Sequence, residues 1–362
     1  MLGGQGGALA FRAAALVAKV RMAIDFDPSG PSAFDGVFGL PTDADHARVV
    51  LIPVPWEPTT SYRKGTAGGP LAILEASRQV DLFDRETGKP YAAGIAMLPF
   101  DPRIEAMNRE ASALAQPIID AGGAGDDPAL FENLRRVNAL SRELDDRVES
   151  FAESWLAKDK LVGLVGGDHS SPLGLIRAVA RRHPGVGVLH VDAHADLREA
   201  YEGFDRSHAS IMFNVHRDVT NVAKIVQVGV RDLSEEEHAL AESSPRIRTF
   251  FDAELTERAH EGEPFAKVAR AIADELPSDV YISFDIDGLD PALCPNTGTP
   301  VPGGLSFRDA VALFAAVRAS GRKIVGFDIN EVAGARADRD TEWDAIVGAR
   351  ILYKLIGYAL KA

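Results

Sequence analysis

The sequence predicts an α/β fold: one domain built on a mainly parallel central sheet, with helices on both faces. Three observations predict it. Strand-like apolar runs alternate with helical patterns along the chain, as they do where a parallel sheet is wrapped by helices. Four of those runs end in histidines and carboxylates, and open α/β sheets bind ligands at the carboxyl ends of their strands. No linker-like stretch divides the chain, and 362 residues can bury a large core. We therefore expect an N-terminal extension over residues 1–47 and one domain over 48–362.

The elements follow in order. Residues 8–23 are rich in Ala, Leu and Val, with Arg12, Lys19 and Arg21 as their only charges. That pattern fits a weak transit peptide or an amphipathic helix, and a helix packed on the body or on a neighbouring subunit is the preferred reading. Strand-like runs lie near 48–54, 161–165, 186–191, 225–230, 279–284 and 323–328. Helical patterns lie near 69–82, 130–158, 172–182, 264–276, 306–319 and 343–360. Residues 99–129 carry Pro99, Pro102, Pro117 and Pro128 with Gly122-Gly123. They read as a long connection.

The chemistry sits where runs end. His190-Val-Asp-Ala-His-Ala-Asp196 places Asp192, His194 and Asp196 at alternate positions, and alternate residues of an extended chain share a face. Tyr281-Ile-Ser-Phe-Asp-Ile-Asp287 repeats the pattern with Asp285 and Asp287. The run from Leu161 ends in Asp168-His169, and the run from Lys323 ends in Asp328 and Glu331. His169, Asp192, His194, Asp196, Asp285 and Asp287 form a carboxylate-rich set with two imidazoles. Such a set suits manganese, with zinc, iron or nickel as competitors. Six ligands exceed what one catalytic ion takes from protein, so a metal pair is expected. Helix caps and turn residues explain any single Asp here, but caps require neither the alternation nor the histidines.

These stretches resemble the ureohydrolases: arginase, agmatinase, guanidinobutyrase, formimidoylglutamase and their relatives. The matching motifs are Gly166-Gly-Asp-His-Ser170, Asp192-Ala-His-Ala-Asp196, Ser283-Phe-Asp-Ile-Asp-Gly-Leu-Asp-Pro291, Thr297-Gly-Thr-Pro-Val-Pro-Gly-Gly304, Thr59-Thr-Ser-Tyr62 with Gly65-Thr66 and Gly69-Pro70, and Phe327-Asp-Ile-Asn-Glu-Val332. They run in order over about residues 48–361. The resemblance implies the arginase-like three-layer fold, a pair of divalent ions (manganese first, nickel as the alternative), and a homo-oligomer, trimer or hexamer. It assigns His208 as acid/base and Glu331 as the anchor of the guanidinium. Relatives carry Gly after that histidine, whereas this chain has Ala209. After the Glu-Val pair they carry a polar residue and Pro, whereas this chain has Ala333-Gly334. Asp168 is read as supporting His169, and Asp290 as bracing its turn.

The reaction implied is release of urea from a small guanidino compound. A guanidinium carbon is weakly electrophilic, and its departing amine needs a proton. The loop Gly203-Phe-Asp-Arg-Ser207 lacks the Ser/Asn pattern with which arginases hold an amino-acid head group, so L-arginine ranks low. Arg206 has two readings. Facing the pocket, it would repel an ammonium tail and hold an acidic one; facing solvent, it takes no part. Agmatinase- or guanidinobutyrase-like activity leads. Nickel-dependent hydrolysis of free guanidine follows, with Trp56, Thr59, Thr60, Tyr62 and Phe204 supplying bulk. Formimidoylglutamase, arginase and an inactive regulatory subunit come after. Trp56, Thr60 and Arg206 join Glu331 as candidate substrate contacts.

Composition excludes other classes. With 46% hydrophobic and 25% charged residues the chain is not disordered. A net charge of −14 argues against nucleic acid and anionic membranes. The single cysteine, Cys294, allows no intrachain disulfide and reads as a buried, inert thiol. A cytoplasmic protein is expected.

Overall fold

The computed structural model describes residues 26–334 and 342–361. The N-terminal helix expected over 8–23 lies outside the described residues. Eight parallel strands form one sheet: β1 (Val49–Val54), β2 (Ile95–Met97), β3 (Leu161–Gly166), β4 (Val186–Val191), β5 (Val222–Val230), β6 (Ile247–Phe251), β7 (Asp279–Asp285) and β8 (Lys323–Asn330). Their order is β2-β1-β3-β8-β7-β4-β5-β6. The six expected runs are the six interior strands. Sheet-interior strands covered on both faces read as near-continuous apolar runs, which makes them legible. The two missed strands are the edges: β2 has three residues, and β6 (Ile-Arg-Thr-Phe-Phe) mixes polar positions into its run.

The helices are α1 (Gly69–Ser77), α2 (Pro102–Asp120), α3 (Pro128–Leu156), α4 (Leu173–Arg182), α5 (Ile211–Asp218), α6 (Glu235–Ser243), α7 (Asp252–His260), α8 (Phe265–Asp274), α9 (Phe307–Ala319) and α10 (Trp343–Leu360). They cover both faces. On one side α1, α9 and α10 pack with Ile73, Phe314 and Leu352 against Leu51, Phe327 and Phe284 of the sheet. On the other, α2, α3, α4 and α5 bring Met107, Leu144, Ile176 and Met212 against Ile52, Val188 and Tyr281. No helix of the described residues is long and apolar enough to cross a membrane.

The long connection expected over 99–129 is instead mostly helix. Pro102 and Pro128 are first helical residues, where the missing N–H breaks no bond. Asp101 and Asp127 precede them, and their side chains accept hydrogen bonds from Arg103 N and Ala129 N, both at 2.8 Å. Ile104, Met107, Ala111, Ala115 and Ile118 recur at helical spacing and are buried. Pro117 falls inside α2 but only one turn from its end. Pro102 and Pro128 mark helix starts, and the turn between the two helices is confined to residues 121–127, with Gly122, Gly123 and Gly125.

The chain order explains the site. Strands β1 to β3 build one half of the sheet, the chain crosses to lay down β4, β5 and β6, and β7 and β8 then fill the gap. The strands that carry the four motifs, β3, β8, β7 and β4, are thereby neighbours in the middle of the sheet, with their carboxyl ends at one edge.

Candidate metal centre and its pocket

All six expected ligands meet at this edge, but only partly for the reason expected. Strand β4 stops at Val191 and β7 at Asp285. Beyond them the chain turns: Ile286–Gly288 is a 3-10 turn, and Asp196 has φ 53°. Strand alternation therefore does not aim Asp196 or Asp287. Turn geometry does, held by the Asp192 carboxylate accepting from His194 N (2.6 Å), Asp285 from Asp287 N (2.8 Å), and Asp287 from Ala193 N (3.0 Å).

Two groups of ligand atoms result, sharing Asp192. In the first, His169 Nδ1 lies 2.8 Å from Asp192 Oδ2, 3.2 Å from Asp285 Oδ2 and 3.3 Å from Asp196 Oδ2. In the second, His194 Nδ1 lies 3.1 Å from Asp287 Oδ2 and 3.4 Å from Asp192 Oδ1. The two oxygens of Asp192 thus face different groups. Burial pushes the Asp285 carboxyl well above the usual carboxylate range, and the neighbouring Asp287 and Asp192 charges push it further. Burial and Asp192 raise Asp196 to about 7.

The surroundings of His169 test whether a cation fits. Its Nε2 is 2.9 Å from Ser283 Oγ, which itself donates to Asp328 Oδ1 at 3.0 Å. The serine hydrogen is thus committed, so Ser283 accepts from the imidazole and the ring proton sits on Nε2. Nδ1 then turns a lone pair toward three carboxylate oxygens. Three carboxylates crowd one imidazole nitrogen, a concentration of acceptor atoms that a bound cation would relieve. The site residues fit divalent metal. Asp168, expected to support His169, instead accepts from Ser170 N at 3.0 Å and from Thr59 Oγ1 at 3.5 Å. Ser283 and Asp328 hold the imidazole.

One residue was missed. His190 is fully buried, with Nε2 2.9 Å from Asp192 Oδ2. Its orientation is fixed from behind. Thr249 Oγ1 donates to Gln227 Oε1 at 2.9 Å, and Gln227 Nε2 therefore faces His190 Nδ1 at 3.0 Å. The imidazole proton is left on Nε2, aimed at Asp192. The signal was present in His190-Val191-Asp192, where alternation sets His190 and Asp192 on one face, but His190 reads as part of the strand.

Glu331 follows β8 with φ 61°. Its amide donates to Gly167 O at 2.7 Å, Thr297 Oγ1 donates to its carbonyl at 2.9 Å, and its Oε1 accepts from His169 N at 3.0 Å. Burial and the charge of Asp168 push its carboxyl well above the usual range. A Cβ at Gly298 would stand 3.1 Å from Glu331 Oε2 and 3.8 Å from Thr60 Cγ2, so the glycine keeps open the space beside both. The buried Thr60 hydroxyl has no partner among the described residues, as expected of a group awaiting a ligand.

A cavity of about 180 Å³ opens from the metal centre, lined among others by His194, Asp196, Tyr201, His208, Asp232 and Thr299. His208 is half-buried in its wall. Its Nδ1 lies 3.2 Å from Thr59 Oγ1, and its amide donates to the same oxygen at 3.3 Å. Burial and the charge of His194 draw its pKa down to about 4.

Two expected substrate contacts are placed elsewhere. Trp56 is fully buried in the apolar layer with Ile104 and Met107, and its carbonyl accepts from Asp168 N at 2.7 Å. It supports the Asp168 turn from behind. Arg206 faces neither the pocket nor open solvent. Its guanidinium is engaged by Asp145 (3.2 Å), Asp218 (3.3 Å) and Asn214. Asp290 braces its turn as expected, accepting from Ala292 N at 2.8 Å. Cys294 is buried, and burial raises its thiol pKa.

Comparison with known proteins agrees with this geometry. The family model described as "Arginase family" matches residues 47–357. The chain is 30% identical to N(1)-aminopropylagmatine ureohydrolase of Synechocystis, over 91% of this chain and 94% of the relative. It is 34% identical to the protein of the same name from Thermus thermophilus, over 81% and 85%. Among solved structures, proclavaminate amidinohydrolase of Streptomyces clavuligerus superposes with a TM-score of 0.68 and 25% identity, over 93% of this chain and all of that one. Strand order, ligand cluster and sequence relatives coincide over the same span: the chain belongs to the arginase family and is a metal-dependent hydrolase of guanidino C–N bonds.

Proposed function

We propose that this enzyme releases urea from a short guanidino compound whose other end carries a cation, in the manner of agmatine or its aminopropyl derivative. The observation that carries the reading is Asp232. Its side chain is exposed at the pocket wall and has no partner among the described residues. The nearby cation Arg198 is engaged, 3.4 Å from Glu237 Oε2 and stacked over Tyr201. Arg206, the reason to consider an acidic tail, is turned away. The free charge at the rim is therefore negative. Trp56 and Phe204, which would have shortened the pocket for free guanidine, are both fully buried.

Two divalent ions fit the cluster, manganese first and nickel as the alternative: His169, Asp192, Asp196 and Asp285 would hold one, and Asp192, His194 and Asp287 the other, with His190 orienting Asp192. Such a pair supplies a water acidic enough to ionise near neutral pH. The protein does the rest. Glu331 holds the guanidinium through charge-assisted hydrogen bonds. Thr60 donates or accepts beside it. His208, steered by Thr59, passes a proton to the departing amine. The resemblance carries two further expectations, a cytoplasmic location and a homo-oligomer.

The test is kcat/KM for agmatine, N1-aminopropylagmatine, 4-guanidinobutyrate, L-arginine and guanidine, with manganese and nickel enzyme prepared separately. The cationic-tailed pair should lead, and Asp232→Asn should raise their KM roughly 1.5- to fivefold, the scale of an exposed ion pair. Guanidinobutyrate or guanidine ranking first would reverse the reading of the tail.

A further inference from the structure

At the opposite end of the sheet, where β1, β3 and β8 begin, lies a cleft of about 460 Å³. Strands of six to eight residues, at about 3.3 Å each, set it roughly 20–26 Å from the metal centre. Arg48, Lys160, Arg182, Arg318, Lys323 and Lys361 line it, and Asp159 is the one acidic lining residue. Arg182 takes that carboxylate at 2.6 Å. The other five cations have no carboxylate partner among the described residues. In a chain of net charge −14 this is a concentrated reversal of sign.

Capping accounts for part of it. The preceding helices end here, and cations complement their carbonyl ends. Lys160 Nζ donates to Asp45 O at 2.6 Å, Arg48 to the carbonyl of Asp159, and Arg318 to the carbonyls of Arg322 and Lys361. Carbonyls orient these cations but do not discharge them. Among the described residues Arg318 Nε is buried without a hydrogen-bond partner, and the exposed Lys323 side chain makes no hydrogen bond or ion pair. Like charges gathered this way repel unless an anion joins them. Leu156, Ile324 and Leu360 add an apolar wall, and the volume falls in the range of small-molecule sites.

We propose that this cleft binds a small organic phosphate of nucleotide size, its phosphate among Arg48, Lys160, Arg318 and Lys323 and its body against Leu156, Ile324 and Leu360. Isothermal titration of the metal-loaded enzyme with AMP, fructose 1,6-bisphosphate and uncharged adenosine, at about 0.15 M salt, tests it. One or both phosphates should bind saturably below about 1 mM, adenosine at least tenfold more weakly. Lys323→Glu, an exposed substitution, should weaken phosphate binding at least tenfold while leaving urea release without ligand and thermal stability unchanged. Absence of saturable binding by either phosphate, equal binding of adenosine, or unaltered phosphate binding by Lys323→Glu would each overturn the proposal.

Discussion

Glu331 stands in a left-handed backbone conformation that a side chain rarely adopts, and three hydrogen bonds hold it there. The cost places a buried carboxylate beside the metal cluster and next to the orphaned Thr60 hydroxyl. Glu331→Gln keeps the shape and removes the charge. It should lower kcat/KM about ten- to a hundredfold, the worth of a charged hydrogen bond, with metal content unchanged. Wild-type kcat/KM in that variant would remove Glu331 from substrate binding. His208→Asn should lower kcat about a hundred- to ten-thousandfold with metal retained, and a kcat within about twofold of the parent would place the proton donor elsewhere. The clustered His and Asp residues were legible because motifs state residue identity directly. His190 was not, since nothing in a strand-interior His reveals the Thr249–Gln227 relay that aims it. Arg206 was misread for a related reason: its partner Asp145 lies 61 residues away in sequence, on α3.

Helix α3 and the loop before His208 form one device. Arg206 ties that loop to Asp145 of α3 and to Asn214 and Asp218 of α5, while Asn214 Nδ2 donates to the carbonyls of Asp205 (3.0 Å) and Ser210 (2.9 Å), on either side of His208. Asp145 and Arg206 are 3% and 11% exposed, so the pair is poorly screened. Burial pushes the Asp145 carboxyl up to about 7 against the pull of Arg177 and Arg206. Because Arg177 remains beside Asp145 and its carboxyl can take up a proton, Arg206→Gln should cost about 1–3 kcal/mol in denaturant unfolding and lower kcat more than it changes KM. A loss below about 1 kcal/mol would show the tie to be idle. Elements of this kind set the limit of sequence reading. Interior strands announced themselves by continuous apolar runs. Helix α2 was hidden because proline, as a residue type, signals a break, and only the position of Pro102 directly after the Asp101 cap shows that it starts a helix.

At the scale of the molecule, strand order makes the site. The chain lays down β4 to β6 before returning to insert β7 and β8, and this brings four motif-bearing strand ends side by side. The sequence showed four ends rich in ligands but not their adjacency, which depends on pairings across more than a hundred residues, such as β3 with β8. We infer that the ends of β3, β4 and β7 form two cation sites sharing Asp192. Metal analysis of the purified, manganese-saturated enzyme, set beside urea release from agmatine, tests it most directly. Two such sites require about two ions per chain, loss of both bound metal and activity on chelation, and recovery of both on adding manganese back. Asp192→Asn, which disturbs both groups at once, should retain fewer than one ion per chain and less than about a hundredth of the activity. Full activity with no bound metal, or two retained ions in Asp192→Asn, would contradict that inference.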